Sequence, residues 1–120
     1  MAMIDALIAR IFAALDEVRY VAVYWDGVLR SEARPGIATA SSSESDRYEE
    51  LLVNPTLLKL ATQRGNIDCG GLRFLIVGYG SFSQIVRPLS RGHLSVAVEP
   101  TSDPIHLAGL LEKIVGETVK

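Results

Sequence analysis

The sequence predicts an α+β fold in the order α-β-β-α-β-β-β-α, and three observations carry that reading. Apolar residues recur at three- and four-residue steps near the start, on one stripe of an amphipathic helix. Asp26-Gly27 separates two strand-like runs, as a tight hairpin turn does. Three further strand-like runs follow between residues 72 and 99, the first of them apolar on both alternating sets.

The first stripe is Ile4, Leu7, Ile8, Ile11, Phe12 and Leu15, with Asp5, Arg10 and Asp16 off it. From Val18 to Trp25 the chain turns β-branched and aromatic, and residues 28–33 should return antiparallel. Arg34-Pro35-Gly36 breaks that strand. The serine run 41–43 leads to Ser45 or Asp46 as helix N-cap, and Asp46 with Glu49 has capping-box spacing. Tyr48, Leu51, Leu52, Leu57, Leu58 and Ala61 form the apolar series of this second helix. Pro55 lacks a donor and follows Asn54, a good N-cap, so two short helices or one kinked helix are expected. Arg64-Gly65-Asn66 should end it, and Cys69-Gly70-Gly71 should lead into a strand.

Strands are expected over 72–79, 82–89 and 94–99, joined by turns short enough for a meander. Leu72, Phe74 and Ile76 oppose Leu75, Val77 and Tyr79 in the first, so helices should cover both faces of the sheet. Asp103 and Pro104 then open a last helix with the stripe Leu107, Leu110, Leu111 and Ile114.

The 120 residues fit one domain, 1–120, with a core large enough to need no disulfide or metal. Twelve basic against 14 acidic residues give a net charge of −2, which argues against a phosphate-backbone binder. Arg30, Arg34, Arg87 and Arg91 have Asp26, Glu32 and Glu99 near them in sequence and read as solvated surface. A lone cysteine fits a reducing compartment, with the cytoplasm as default. Residues 1–15 lack the basic start and cleavage site of a signal peptide, and no run approaches the roughly 20 apolar residues of a membrane span.

Catalytic chemistry finds little footing. Cys69 has Asp68 beside it, which opposes a thiolate, so a cysteine enzyme using His93 or His106 is the weakest reading. Cys69, His93 and His106 match no metal-ligand spacing, and both histidines read as surface residues. The glycines at 70–71 and 78–80 precede strands, whereas a phosphate cradle needs a helix just after them. No cofactor is expected. Tyr24 and Trp25 alternate across the sheet, so one is core and the other is a candidate anchor for a partner at the hairpin end.

The element order, with the first turn written Tyr24-Trp25-Asp26-Gly27-Val28-Leu29 and a Gly-rich start to the third strand, resembles the roadblock/dynein light chain family, whose fold is related to profilin and longin domains. The resemblance runs from about Ile4 to Val115. It implies a single five-stranded antiparallel sheet, with the first and last helices on one face and the second on the other. It also implies a non-enzymatic homodimer or heterodimer joined through second helices and third strands, serving as a light chain or as a scaffold or regulator of small Ras-like GTPases. By position the joining surface is Tyr48, Leu51, Leu52 and Leu58 with Arg73, Leu75 and Val77. Pro55 and the long serine-rich loop 34–43 depart from the family pattern.

Dimerisation also has a physical argument. An apolar third strand at the sheet edge is an aggregation hazard that a second copy would cover across a two-fold axis, unless the strand is central or shielded by a loop. The rival reading is a ligand-sensing domain, with a pocket of several hundred cubic ångströms lined by Trp25, Tyr79 or Phe82.

Overall fold

In a computed structural model describing residues 2–36 and 42–119, helix α1 (Ala2–Ala14) leads into strands β1 (Val18–Trp25) and β2 (Val28–Ala33). Helix α2 (Ser43–Tyr48) passes through a π-helical segment, Glu49–Val53, into α3 (Asn54–Asp68). Strands β3 (Leu75–Gly78), β4 (Ser83–Leu89) and β5 (Gly92–Val98) precede α4 (Pro104–Thr118). All neighbours pair antiparallel in one sheet of order β2-β1-β5-β4-β3, so the hairpin joins the meander through β1 and β5. Both β2 and β3 are edges.

Asp26 and Gly27 close the β1–β2 hairpin with φ of 50° and 80°. A two-residue turn with positive φ at both positions matches the twist of the flanking strands, which is why Asp-Gly specifies it.

Alternation gives the sheet two unlike faces. Val21, Val23 and Trp25 of β1 share a face with Leu94 and Val96 of β5 and Ile85 of β4, and pack with Ile4, Leu7, Ile11, Leu107 and Leu111 of α1 and α4. Each such buried side chain is worth roughly 1.5–3 kcal/mol of transfer free energy, so this layer holds the fold together. The opposite face presents Ala22, Ser95, Ala97, Gln84 and Val86 towards the α2–α3 side, and two of these five are polar.

Several boundaries differ from expectation for physical reasons. The second helix is capped by Ser42: its Oγ accepts from the Ser45 N–H at 3.1 Å, and the Ser42 N–H donates back to Ser45 Oγ at 3.2 Å. Residues 37–41 of the serine-rich loop lie outside the described residues. Pro55 falls in the first turn of α3, as expected, and what separates α3 from α2 is the π segment rather than a break in the chain. The π segment moves the hydrogen-bond register by one residue, so that the Asn54 N–H reaches the Glu49 carbonyl, and the donor Pro55 lacks is not needed in the α register. Asn54 stays helical at φ −62°, ψ −46°, and its side chain does other work. α3 runs on to Asp68, and Gly71 folds back so closely that a Cβ at Gly65 would lie 2.9 Å from the Gly71 carbonyl carbon. β3 starts only at Leu75.

The arginines read as solvated are placed more specifically. Arg34 donates from Nε to the Val18 carbonyl at 2.7 Å and from Nη2 to the carbonyls of both Phe12 and Leu15, capping an α1 C-terminus that has no basic residue in its last turn. Arg87 and Arg73 share Glu112 of α4, Arg30 pairs with Asp5 and Arg91 with Asp26.

Candidate functional site

The outer face of α2–α3 is built from apolar residues that the sheet does not need. α2 buries no residue, and α3 buries only Asn54, Leu58 and Gly65 of its fifteen. Tyr48, Leu51, Leu52, Leu57, Leu60 and Ile67 are all exposed, making six of the nine large exposed hydrophobics among the described residues. Scattered surface leucines need no explanation, but six large apolar side chains on one helical segment make a concentrated exposed apolar patch.

Beside this helix runs the β3 edge. Leu75 pairs with Val86 and Val77 with Gln84, so both point to the α2–α3 side and remain half-buried. Two members of the expected joining surface lie elsewhere. Leu58 turns inward and is 8% exposed, because the helix carries it towards the sheet, and Leu57 and Leu60 flank it outside. Arg73 precedes the strand and reaches across the other face to Glu112 of α4, with its guanidinium 5.4 Å from the Phe74 ring centroid.

Between helix and sheet lies a buried polar layer that sequence reasoning missed. Glu50 and Asn54, four apart across the π segment, meet Ser95, Gln84 and His93 of the sheet, all nearly inaccessible. Asn54 Nδ2 donates to Glu50 Oε1 at 2.9 Å and to Ser95 Oγ at 3.2 Å. Gln84 also donates to Ser95 Oγ, and His93 Nε2 lies 2.9 Å from Glu50 Oε1. Glu50 Oε2 is buried without a partner. The available signal was polar His93 and Ser95 two residues apart on β5, on the same face as Gln84 of β4, which pairs with Ala97.

A cleft of about 560 Å³ opens beside this layer, between the start of the helix and the sheet. Tyr20 and Ala97 are part of its floor, Asp46, Glu49, Glu50 and Val53 line the helix side, and Tyr79 and Phe82 of the β3–β4 turn bound its mouth. The Tyr79 hydroxyl donates to Glu49 Oε2 at 2.7 Å, and burial with that carboxylate pushes the phenol up to about 12. Burial also raises Glu49 above the usual carboxylate range, reinforced by Glu50 and Asp46, while the Tyr79 bond opposes the rise.

Trp25 is on the other side of the sheet and 8% exposed in the main core, so it neither lines the cleft nor is offered to a partner. Tyr24 is half-buried, stacked on His93 with centroids 5.8 Å apart. His93 is thus a buried residue rather than a surface one. Cys69 is exposed, with its thiol 3.3 Å from Asp68 Oδ1. No group of three or more metal-ligating side chains is assembled among the described residues, and no described helix is long and apolar enough to cross a membrane.

A crystal structure of a Roadblock/LC7 domain from Streptomyces avermitilis matches 94% of this chain and 92% of its own with a TM-score of 0.68, at 17% identity. The chain has the roadblock fold. Other roadblock-fold matches are MglC from Myxococcus xanthus, with TM-score 0.61 at 11% identity over 97% and 96% of the two chains, and an MglB in a tetrameric arrangement, with 0.64 at 10% over 99% and 94%. No protein-family model and none of the curated proteins matches the sequence. At these identities the shared roadblock fold is what is common.

Proposed function

We propose that the chain is a one-domain, non-enzymatic interaction module that forms a homodimer and, as a dimer, scaffolds or regulates another protein, with small Ras-like GTPases as the partner class and the cytoplasm as its place. One observation carries the reading: the six exposed apolar side chains of α2–α3 stand beside an edge strand whose Leu75 and Val77 lean the same way. Joining two such surfaces across a two-fold axis would pair the β3 edges and remove both liabilities together. The interface would use Tyr48, Leu51, Leu52, Leu57 and Leu60 with Leu75 and Val77. Recognition would rest on surface complementarity, with no covalent step and no cofactor.

Light scattering at tens of micromolar tests the dimer, which should have about twice the chain mass of 13.0 kDa. Affinity capture of the tagged protein from its own cells, read by mass spectrometry, tests the partner. A co-purifying small GTPase is the expected result, and a monomer that captures none would end the reading.

The ligand-sensing reading keeps one observation, the cleft of about 560 Å³, which lies in the usual size range of small-molecule sites. Tyr79 and Phe82 line it as expected, and Trp25 does not.

A further inference from the structure

We propose that the cleft between the start of the long helix and the sheet binds a small organic cation, an ammonium or amidinium carried on a compact apolar body. The site deepens the ligand-sensing reading and does not depend on dimerisation.

Three carboxylates and two guanidinium groups line the cleft. Asp46, Glu49 and Glu50 stand on its helix side, and Arg19 and Arg34 also line it, but their guanidinium groups are engaged, Arg34 with three backbone carbonyls and Arg19 with both carboxylate oxygens of Glu99, which leaves the carboxylates in excess. Glu50 is 1% exposed, and its Oε2 lacks any hydrogen-bond partner. A buried carboxylate oxygen left in that state costs free energy that a charged N–H donor would recover. The Tyr20 hydroxyl responds to the same field: burial first, and the Glu50 charge second, raise it well above the ordinary phenol range.

The rest of the lining suits the body of such a ligand. Tyr20, Tyr79 and Phe82 offer aromatic surface, with the last two rings 5.3 Å apart and tilted, and Val53 and Ala97 add apolar wall. Aromatic faces next to carboxylates are the combination that selects a cation over an anion or a neutral isostere of the same shape.

Tyramine, its neutral analogue tyrosol and its anionic analogue 4-hydroxyphenylacetate share one ring and differ in the terminal group, so they isolate the charge. In an NMR titration of the full chain, tyramine should shift amides of residues 46–53 and 79–82 and bind about tenfold more tightly than tyrosol, with the anion weaker still. Glu49→Gln should weaken tyramine binding more than tyrosol binding and so remove most of that preference. Because Glu50→Gln also alters the hydrogen bonds of the buried layer, Glu49→Gln and the wild-type selectivity decide the matter. Equal binding of tyramine and tyrosol, stronger binding of the anion, shifts mapping outside the cleft, or no binding of any probe up to millimolar concentration would overturn the site. Repeating the titration on Leu52→Asp, which alters only the outer helix face, separates the two readings: tyramine should bind that variant whatever its oligomeric state.

Discussion

His93 Nε2 lies 2.9 Å from Glu50 Oε1, with both side chains almost wholly buried between the helix and β5. Asn54 donates to the same oxygen, so one carboxylate atom takes two bonds and ties the π segment to the sheet. Removing that acceptor strands two buried donors, each costing roughly 1–3 kcal/mol. Glu50→Ala should therefore destabilise the protein by about 3 kcal/mol. Glu50→Gln, which keeps an acceptor oxygen, should cost less than half as much. Urea unfolding of both variants checks the order, and equal losses would mean that packing of the side chain, not its acceptor, holds the helix.

Trp25 packs with the main core while Tyr24 stacks on His93 across the sheet, so the hairpin-end aromatics are structural on both faces. Trp25→Ala should cost about 3–5 kcal/mol, the range for emptying a large aromatic site. A thermal melt reads it directly. If the variant kept wild-type stability and instead lost partner binding, the core placement of Trp25 would be wrong in its consequence.

Local chemistry was legible and long-range chemistry was not. Asp26-Gly27 and the Asp103-Pro104 cap depend on a few neighbouring residues; Asp103 Oδ1 duly accepts from the N–H groups of Ile105 and His106. Pro55 marked the first turn of α3, but neither the π segment before it nor the Asn54 amide reaching Ser95, 41 residues away, could be read locally. Arg73 looked like a strand residue in phase with Leu75, but Glu112 of α4 draws it to the opposite face before the strand begins. His93 read as a surface residue, since only the folded sheet brings Glu50 to it. The cleft is likewise a product of packing: Tyr79 and Phe82 were visible as candidates, but their meeting with Glu49 was not.

Two carboxylates should give the stability–pH curve opposite slopes. The Arg73 hydrogen bond, with Arg87 beside it, holds Glu112 below its ordinary range. A lowered folded value stabilises above the unfolded value of about 4.3, and that stability is lost as pH falls through the folded value. Glu49 is raised chiefly by burial, so its neutral form suits the folded state. Its contribution is present at low pH and is lost as pH rises from about 4.3 through its raised folded value. Urea midpoints between roughly pH 3 and 7 should show a weaker acid-side decline for Glu112→Gln and a weaker loss on the rising side for Glu49→Gln.

Leu52 is exposed at the centre of the proposed joining surface, while Ile105, at 70% exposure, sits on α4 on the far side of the sheet. Both are large, apolar and solvated in the free chain, so replacing either with aspartate should leave stability nearly unchanged. Their effects on association should differ. A charge at Leu52 would be desolvated against its symmetry mate, where a central apolar contact commonly contributes about 2 kcal/mol or more, equivalent to roughly a 30-fold change in affinity. Leu52→Asp should run as a monomer where the wild type runs as a dimer, and Ile105→Asp should remain dimeric. Sedimentation velocity over a concentration series distinguishes them. If Ile105→Asp separated the copies and Leu52→Asp did not, the interface would lie on α4, and the exposed face of α2–α3 would be left for a different partner.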